Sequence, residues 1–348
     1  MANSAGIGTC IREIVPRLSS SFCITLLVSK LGQCWCEGME QILFQAPIYS
    51  IQEQLQFPLK IPRCDFFWSP HYNVPLFPIR AKKRMVTIHD ACHLALGKWL
   101  SFPERAYAKF VMKRALHSAD VVVTDSQFSK NELIRFLGEP KKPLNVIAPA
   151  VDPKQFFRVS DKKILAEVES RYALPRRFVL FVGSQKLHKN LHGLLAAFSK
   201  ISISDMHLVI VGKKQGLRHS VENVQMEKVH WLGEIAREDL PALYSLAELF
   251  VFPSFYEGFG LPPLEAMSCG CPTIVSKAAS LPEVCKEASW YVCPEKNEDL
   301  TDAIEKVVSD SEIKSNLIRM GYTRSASFCW DKTACFYKEL LEIQGCYV

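Results

Sequence analysis

The sequence predicts an α/β protein built from two doubly wound domains with parallel sheets, and three observations carry that prediction. Short apolar runs rich in β-branched and aromatic residues recur with helical stretches between them. The runs are continuous rather than alternating, the mark of strands covered on both faces and therefore of parallel sheets. They also fall into two series, and a chain of 348 residues is too long for one compact core.

The first series is FCITLLV (22–28), CDFFW (64–68), MVTIH (85–89), DVVVTDS (120–126) and LNVIA (144–148). The second is FVLFVG (178–183), MHLVIVG (206–212), KVHWLG (228–233), ELFVFPS (248–254), PTIVS (272–276) and SWYVCP (289–294). Between them, VDPKQFFRVSDKK (151–163) is polar and contains proline, so it reads as the connection. Expected boundaries are a first domain over 1–157, a second over 158–328 and a closing segment over 329–348. A cleft in such folds is the ordinary place for a ligand.

Composition narrows the function classes. Hydrophobic residues make up 48% and charged residues 22%, which excludes disordered and collagen-like chains. The 13 cysteines are scattered, with close pairs only at Cys34/Cys36 and Cys269/Cys271 and no CxxC. Small buried thiols are expected, and no metal or disulfide framework. The start shows no signal-type apolar stretch, and the apolar run at 22–28 is too short to cross a bilayer. A cytoplasmic protein is expected.

Net charge is +6. Lys plus Arg against Asp plus Glu is 19 against 12 over residues 1–155 and 23 against 24 over 156–348, so the excess lies in the first half. Arg80, Lys82, Lys83 and Arg84 form its densest cluster. Such a surface suits phosphorylated ligands or anionic lipid. No aromatic-rich basic motif supports nucleic acid.

SFYEGFGLPPLEAMSCGCPTIVS (254–276) carries the most chemistry. Gly258 and Gly260 form a turn whose N–H groups can approach a ligand closely, Pro262 and Pro263 suit a helix start, and Gly270 suits its end. Glu265 is then expected in the first helical turn, where an anion or a ribose is welcome. In FVGSQKLHKNLHGLLAAF (181–198), Gly183 ends a strand, and Lys186, His188 and Lys189 crowd the start of a helix. Cations there oppose the helix dipole unless an anion is shared, which marks a phosphate site with Lys189 at its centre. MVTIHDACHL (85–94) places His89 and Asp90 at the carboxyl end of a strand. His71 and His93 are weaker candidates. Ser4 to Thr9, with Gly6 and Gly8, form a short glycine loop ahead of the helix at 11–18.

Taken in order, SAGIGTCIREIVPRL, WSPHYNVPL, VTIHD, VVVTDSQFSKNEL, FVGSQKLHKNLHGLLAAF, LAELFVFPSFYEGFGLPPLEAMSCGCPTIVS and SFCWDKTACFYKELLE resemble the retaining glycosyltransferases of family 4, which have the GT-B fold. The resemblance implies a nucleotide-diphosphate sugar as donor, with GDP-mannose preferred, and a glycan or lipid-linked glycan as acceptor at the cytoplasmic membrane face. It implies no metal and no cofactor. By carry-over, His89, Lys189 and Glu257 are catalytic. Gly6, Gly8, Gly183, Ser184, Lys186, Gly258, Phe259, Gly260, Leu261 and Glu265 join Lys189 and Glu257 in binding the donor. Glu265 would hold the ribose, Glu257 the sugar hydroxyls and Lys189 the diphosphate, while His89 would lie against the sugar. The closing helix would return to the first domain.

Two departures accompany the resemblance. Ser184 stands where many relatives have Arg, with Lys186 as its replacement. Only MAN precedes Ser4, where relatives begin with a strand, so the first domain is expected to be short by one central strand. A non-catalytic or truncated sugar-nucleotide binder, and a sugar-nucleotide epimerase of the same fold, remain alternative readings.

Overall fold

The computed structural model describes residues 6–32, 34–97, 101–213 and 226–345. The chain divides into two compact units, Met1–Pro149 with Trp330–Val348, and Ala150–Cys329.

In the first unit, β1 (Thr25–Val28) pairs in parallel with β2 (Glu40–Leu43) as a separate two-stranded sheet. β3 (Cys64–Ser69), β4 (Ala81–Thr87), β5 (Val121–Thr124) and β6 (Leu144–Val146) form a four-stranded parallel sheet in that order. Among the described residues no hydrogen-bonded strand joins the two sheets.

Helices α1 (Ile7–Leu18), α2 (Ile51–Lys60), α3 (Cys92–Ala95), α4 (Phe102–Ser118) and α5 (Gln127–Leu137) accompany these strands. Ser101 and Glu104 form a reciprocal capping box at the start of α4, and Ser126 caps α5 by accepting from the N–H of Ser129. The core gathers Val86 and Val122 from the strands and Ile88 just past β4 against Val111, Met112, Ala115 and Leu133 from the helices.

The second unit holds one six-stranded parallel sheet. Its strands are β7 (Phe178–Val182), β8 (His207–Val211), β9 (Val229–Gly233), β10 (Leu249–Phe252), β11 (Thr273–Ser276) and β12 (Trp290–Val292). Their order is β12-β11-β10-β7-β8-β9. Chain order reverses at β7, so the connections from β7 and β10 leave on opposite faces and open a crevice at their carboxyl ends. The helices are α6 (Lys162–Tyr172), α7 (Leu191–Phe198), α8 (Leu240–Leu246), α9 (Leu261–Ser268), α10 (Leu281–Cys285), α11 (Asn297–Ser309) and α12 (Ser311–Ala326). α7 buries Leu191, Leu194, Leu195 and Phe198 on the sheet, each worth about 1.5–3 kcal/mol relative to exposure.

The expected connection at 151–163 is not a free linker. Val151, Phe156 and Val159 are buried, the Phe156 ring packs 6.4 Å from that of Tyr244, and the Val159 N–H donates to Ser245 Oγ at 3.0 Å. Its apolar residues bind it to the second unit, which therefore begins at Ala150 rather than at 158.

The closing helix α13 (Trp330–Ile343) groups with the first unit. Asp331 accepts from Arg17 of α1 at 2.7 Å, and the Tyr337 hydroxyl lies 3.1 Å from Thr87 Oγ1 at the end of β4. The Lys83 ammonium donates to the Gln344 carbonyl at 2.6 Å. No helix among the described residues is long and apolar enough to cross a membrane.

Candidate active site

The crevice at the β7/β10 switch in the second unit collects most of the expected donor residues. After β7, Gly183 lies so close to Gly212 that a Cβ on Gly212 would meet the Gly183 carbonyl oxygen at 2.0 Å, so this approach requires glycine. The chain then makes a short turn at Leu187–Lys189 and enters α7 through Asn190 in a left-handed conformation (φ 55). Asn190 caps α7 by accepting from the Gly193 N–H at 3.2 Å, and its amide donates to the Pro294 carbonyl at 2.8 Å. The Phe255 N–H donates to the His188 carbonyl at 2.7 Å, tying the loop after β7 to the loop after β10.

That tie brings Lys189 onto Glu257. The ammonium lies 2.7 and 2.9 Å from the two carboxylate oxygens, both side chains are largely buried, and the nitrogen sits 4.9 Å from the centroid of the Phe252 ring. Cation and carboxylate balance each other in a partly dry site, where one left alone would be costly. The turn carrying Glu257 is fixed from below: Ser280 Oγ lies 2.9 Å from the Glu257 carbonyl and 2.8 Å from the Phe259 carbonyl. Gly260, at φ 108, precedes α9, and a Cβ there would meet Leu281 at 2.7 Å.

Glu265 does not fall in the first turn of α9. Gly260 is the cap and Leu261 the first helical residue, so the two prolines fill the first turn and Glu265 comes one position later. Burial raises its carboxyl to about 7, against the opposing charge of Arg237 and a 3.2 Å hydrogen bond donated by the Tyr244 hydroxyl. Tyr244 is fully buried, edge-on to Phe250 at 5.4 Å. Lys186 is exposed and Ser184 half-buried.

Sequence reasoning passed over Gln185. Its amide nitrogen and oxygen are both enclosed with no hydrogen-bond partner among the described residues. Leaving such a group unsatisfied costs about 1–3 kcal/mol. Tyr244 and Ser280 were also passed over, since only packing brings them to the motif.

In the first unit, His89 follows β4 and Asp125 follows β5. His89 Nδ1 is 2.8 Å from Asp125 Oδ2, and Nε2 is 3.0 Å from the Pro70 carbonyl. Burial pulls the imidazole pKa down, but the Asp125 carboxylate and these two hydrogen bonds outweigh it and raise it to about 9. His89 is therefore an imidazolium at neutral pH with both N–H groups in use. In this arrangement the side chain offers the crevice a fixed positive charge. Asp90 caps the following turn by accepting from the Cys92 N–H at 2.8 Å, and burial raises its carboxyl. His71 is held neutral, at about 3, by burial and then by the charges of His89 and His93.

The expected glycine loop is largely helix. Gly6, at φ 62, caps α1, and Gly8 lies within the first turn, because the Gly6 carbonyl already accepts from the Cys10 N–H. Ser4 and Ala5 lie outside the described residues.

Residues 47–155 match the family description "Glycosyltransferase Family 4" and residues 167–324 match "Glycosyl transferases group 1". The chain belongs to glycosyltransferase family 4. This glycosyltransferase is 28% identical over 270 residues to the O-antigen chain mannosyltransferase B of Escherichia coli, covering 75% of this chain and 71% of that one. It is 30% identical over 285 residues to the serotype-specific mannosyltransferase WbdA of Escherichia coli, covering 76% of this chain; it spans about a third of WbdA's length (33%). Its fold is GT-B. The structure of HepE from Anabaena in complex with UDP-glucose superposes with a TM-score of 0.77 at 16% identity, covering 98% of this chain and 97% of that one.

Proposed function

We propose that this glycosyltransferase moves a hexose from a nucleotide-diphosphate sugar to a glycan or lipid-linked glycan, with retention of anomeric configuration and without a metal, in cell-surface polysaccharide synthesis. Mannose from GDP-mannose is the preferred donor, a reading supported by the names of the O-antigen mannosyltransferase relatives. The chain works in the cytoplasm and meets its acceptor at the membrane face.

The observation that carries this reading is the Lys189–Glu257 pair at the β7/β10 crevice, beside the start of α9. A diphosphate entering there draws Lys189 away from Glu257. The ammonium then neutralises the leaving diphosphate, and the freed carboxylate accepts hydrogen bonds from sugar hydroxyls. Glu265 takes the ribose hydroxyls. The acceptor hydroxyl attacks the anomeric carbon on the face the diphosphate leaves; the C–O bond to phosphate breaks, and the departing phosphate oxygen takes the acceptor's proton. Lys189 and the positive end of the α9 dipole stabilise the charge developing on that oxygen.

The test is release of nucleotide from a panel of labelled nucleotide sugars offered lipid-linked and free glycans, with Lys189→Ala and Glu257→Ala beside the wild type. Donor binding without release on any acceptor would sink the transferase reading. Epimerised donor formed without acceptor would point to isomerisation instead.

A further inference from the structure

Helix α10 has five residues, and groups from elsewhere in the second unit hold it at both ends. At its start Ser280 occupies the capping position, yet its side chain makes no capping bond to the helix. The hydroxyl is spent instead on the Glu257 and Phe259 carbonyls of the turn before α9. Leu281, the first helical residue, lies against Gly260 of the same turn.

At the other end of α10 stands Arg324 of α12. Its Nη2 donates to the Glu283 carbonyl at 2.9 Å and its Nε to the Val284 carbonyl at 2.6 Å. Carbonyls at a helix end carry its partial negative charge and need donors from outside the helix, and a guanidinium supplies both needs. The same guanidinium lies over the Phe328 ring, 4.6 Å from its centroid. The Phe328 ring in turn stands edge-on to the buried Phe259 ring at 5.4 Å. Two routes therefore run from Arg324 to one turn: through α10 to the carbonyls of Glu257 and Phe259, and through Phe328 to the Phe259 ring.

The backbone on either side of α10 is strained. Ala279 at φ 53 and Lys286 at φ 49 are two of the five residues other than glycine with positive φ among the described residues. Side chains disfavour that region, so it persists where the surroundings impose it. Ser280 and Arg324 act next to these two positions, and the Tyr291 hydroxyl donates to the Lys286 carbonyl. Gly321, three residues before Arg324, lies on α9 itself, where an added Cβ would meet the Met267 side chain at 3.2 Å.

We propose that Arg324 is a positioning residue for the donor sugar. It acts through α10 and Phe328, fixing the turn that carries Glu257 and so the direction in which the Glu257 carboxylate meets sugar hydroxyls. The role requires a guanidinium: a planar fork donates to two successive carbonyls while laying its face on a ring, which an ammonium cannot do. Lys189 is set by the loop after β7 and Glu265 by Tyr244, so the nucleoside diphosphate is held independently of Arg324. This role rests on the donor reading of the crevice and adds to it a residue outside the crevice loops.

The experiment is calorimetric titration of the full chain with GDP-mannose and UDP-glucose, each beside its own nucleoside diphosphate. Arg324→Gln is expected to weaken nucleotide-sugar binding about tenfold, the scale of a lost charge-assisted hydrogen bond, and to leave nucleoside-diphosphate binding within about twofold. Arg324→Lys falls between Arg324→Gln and the wild type, and Phe328→Leu weakens only the nucleotide sugar, by about fivefold. The control Arg319→Gln, exposed on the same helix, changes neither. Hydrogen exchange on the ligand-free protein is expected to be about tenfold faster at amides 255–261 in Arg324→Gln, with β8 unchanged. Thermal unfolding reports folding, and should Arg324→Gln not fold, Arg324→Lys carries the same comparison. Equal weakening of nucleotide sugar and nucleoside diphosphate, or unchanged exchange at 255–261, overturns the role of Arg324 and leaves the donor reading standing. A wild type that binds neither nucleotide sugar overturns both.

Discussion

The ammonium of Lys189 bridges both carboxylate oxygens of Glu257, at 2.7 and 2.9 Å, across 68 residues of sequence. Two groups assigned to different parts of the donor therefore neutralise each other when no donor is between them. The pair keeps a largely buried cation and anion in place.

Lys189→Ala should abolish nucleotide release and also destabilise the second unit by about 2 kcal/mol, because Glu257 is left without its partner in a mostly buried place. The double substitution Lys189→Met with Glu257→Gln should recover most of that stability and none of the transfer. Denaturant unfolding beside a release assay separates the two effects; recovered activity in the double variant would refute the role given to the pair.

Donor affinity should change with pH around 7, where the Glu265 carboxyl titrates. The carboxylate present above that pH accepts from ribose hydroxyls more strongly than the neutral acid below it, so affinity should rise through the transition. Glu265→Gln should remove the inflection, and Tyr244→Phe should move it upward, because the Tyr244 hydroxyl favours the ionised form. Calorimetric titration of a nucleotide diphosphate across the range checks both.

His89 has the opposite linkage. Its folded pKa, about 9, lies above the ordinary 6.5, so its contribution to stability is complete below pH 6.5 and is lost as pH rises through about 9. Asp125→Asn should lower stability at pH 6 and flatten this dependence. Urea midpoints measured on both sides of the window give the answer, and an unchanged slope in Asp125→Asn would count against the ion pair.

Gln185→Met should raise the stability of the ligand-free protein by about 1 kcal/mol, since two unsatisfied polar atoms are removed. The same change should weaken donor binding. If binding is unaffected, the enclosed amide is not a ligand contact.

Gly212→Ala should be among the most damaging single changes in the second unit. Its φ of 139 is foreign to alanine, and the added carbon meets the Gly183 backbone, which cannot swing aside as a side chain could. A loss of at least about 3 kcal/mol, or failure to fold, is expected in unfolding experiments.

Much of the second unit was legible residue by residue. All six apolar runs between 178 and 294 are strands, because fully buried parallel strands write continuous hydrophobic sequence. The glycines and prolines at 258–263 marked the turn and the helix start, since each fixes a local backbone conformation that needs no distant partner. The first unit was less legible. β2 was missed because Glu40–Leu43 carries no apolar run, and the outward turn of Leu55 and Leu59 on α2 was invisible because hydrophobicity alone would bury them. The position of Glu265 was missed by one residue, because the cap is Gly260 and the helix begins at Leu261.

The sequence by itself determined the two series of strands, the crevice-forming loops and the residue types gathered at the crevice, all of which are local or periodic properties. Only the tertiary structure decided that Lys189 rests on Glu257, that His89 spends both ring nitrogens on Asp125 and Pro70, and that α2 turns its leucines outward. Each of these depends on groups separated along the chain and joined by strand order or by a buried polar anchor. A buried charge or hydrogen-bonding group must find its partner wherever packing delivers one, and that requirement outranks the hydrophobic pattern of any single segment.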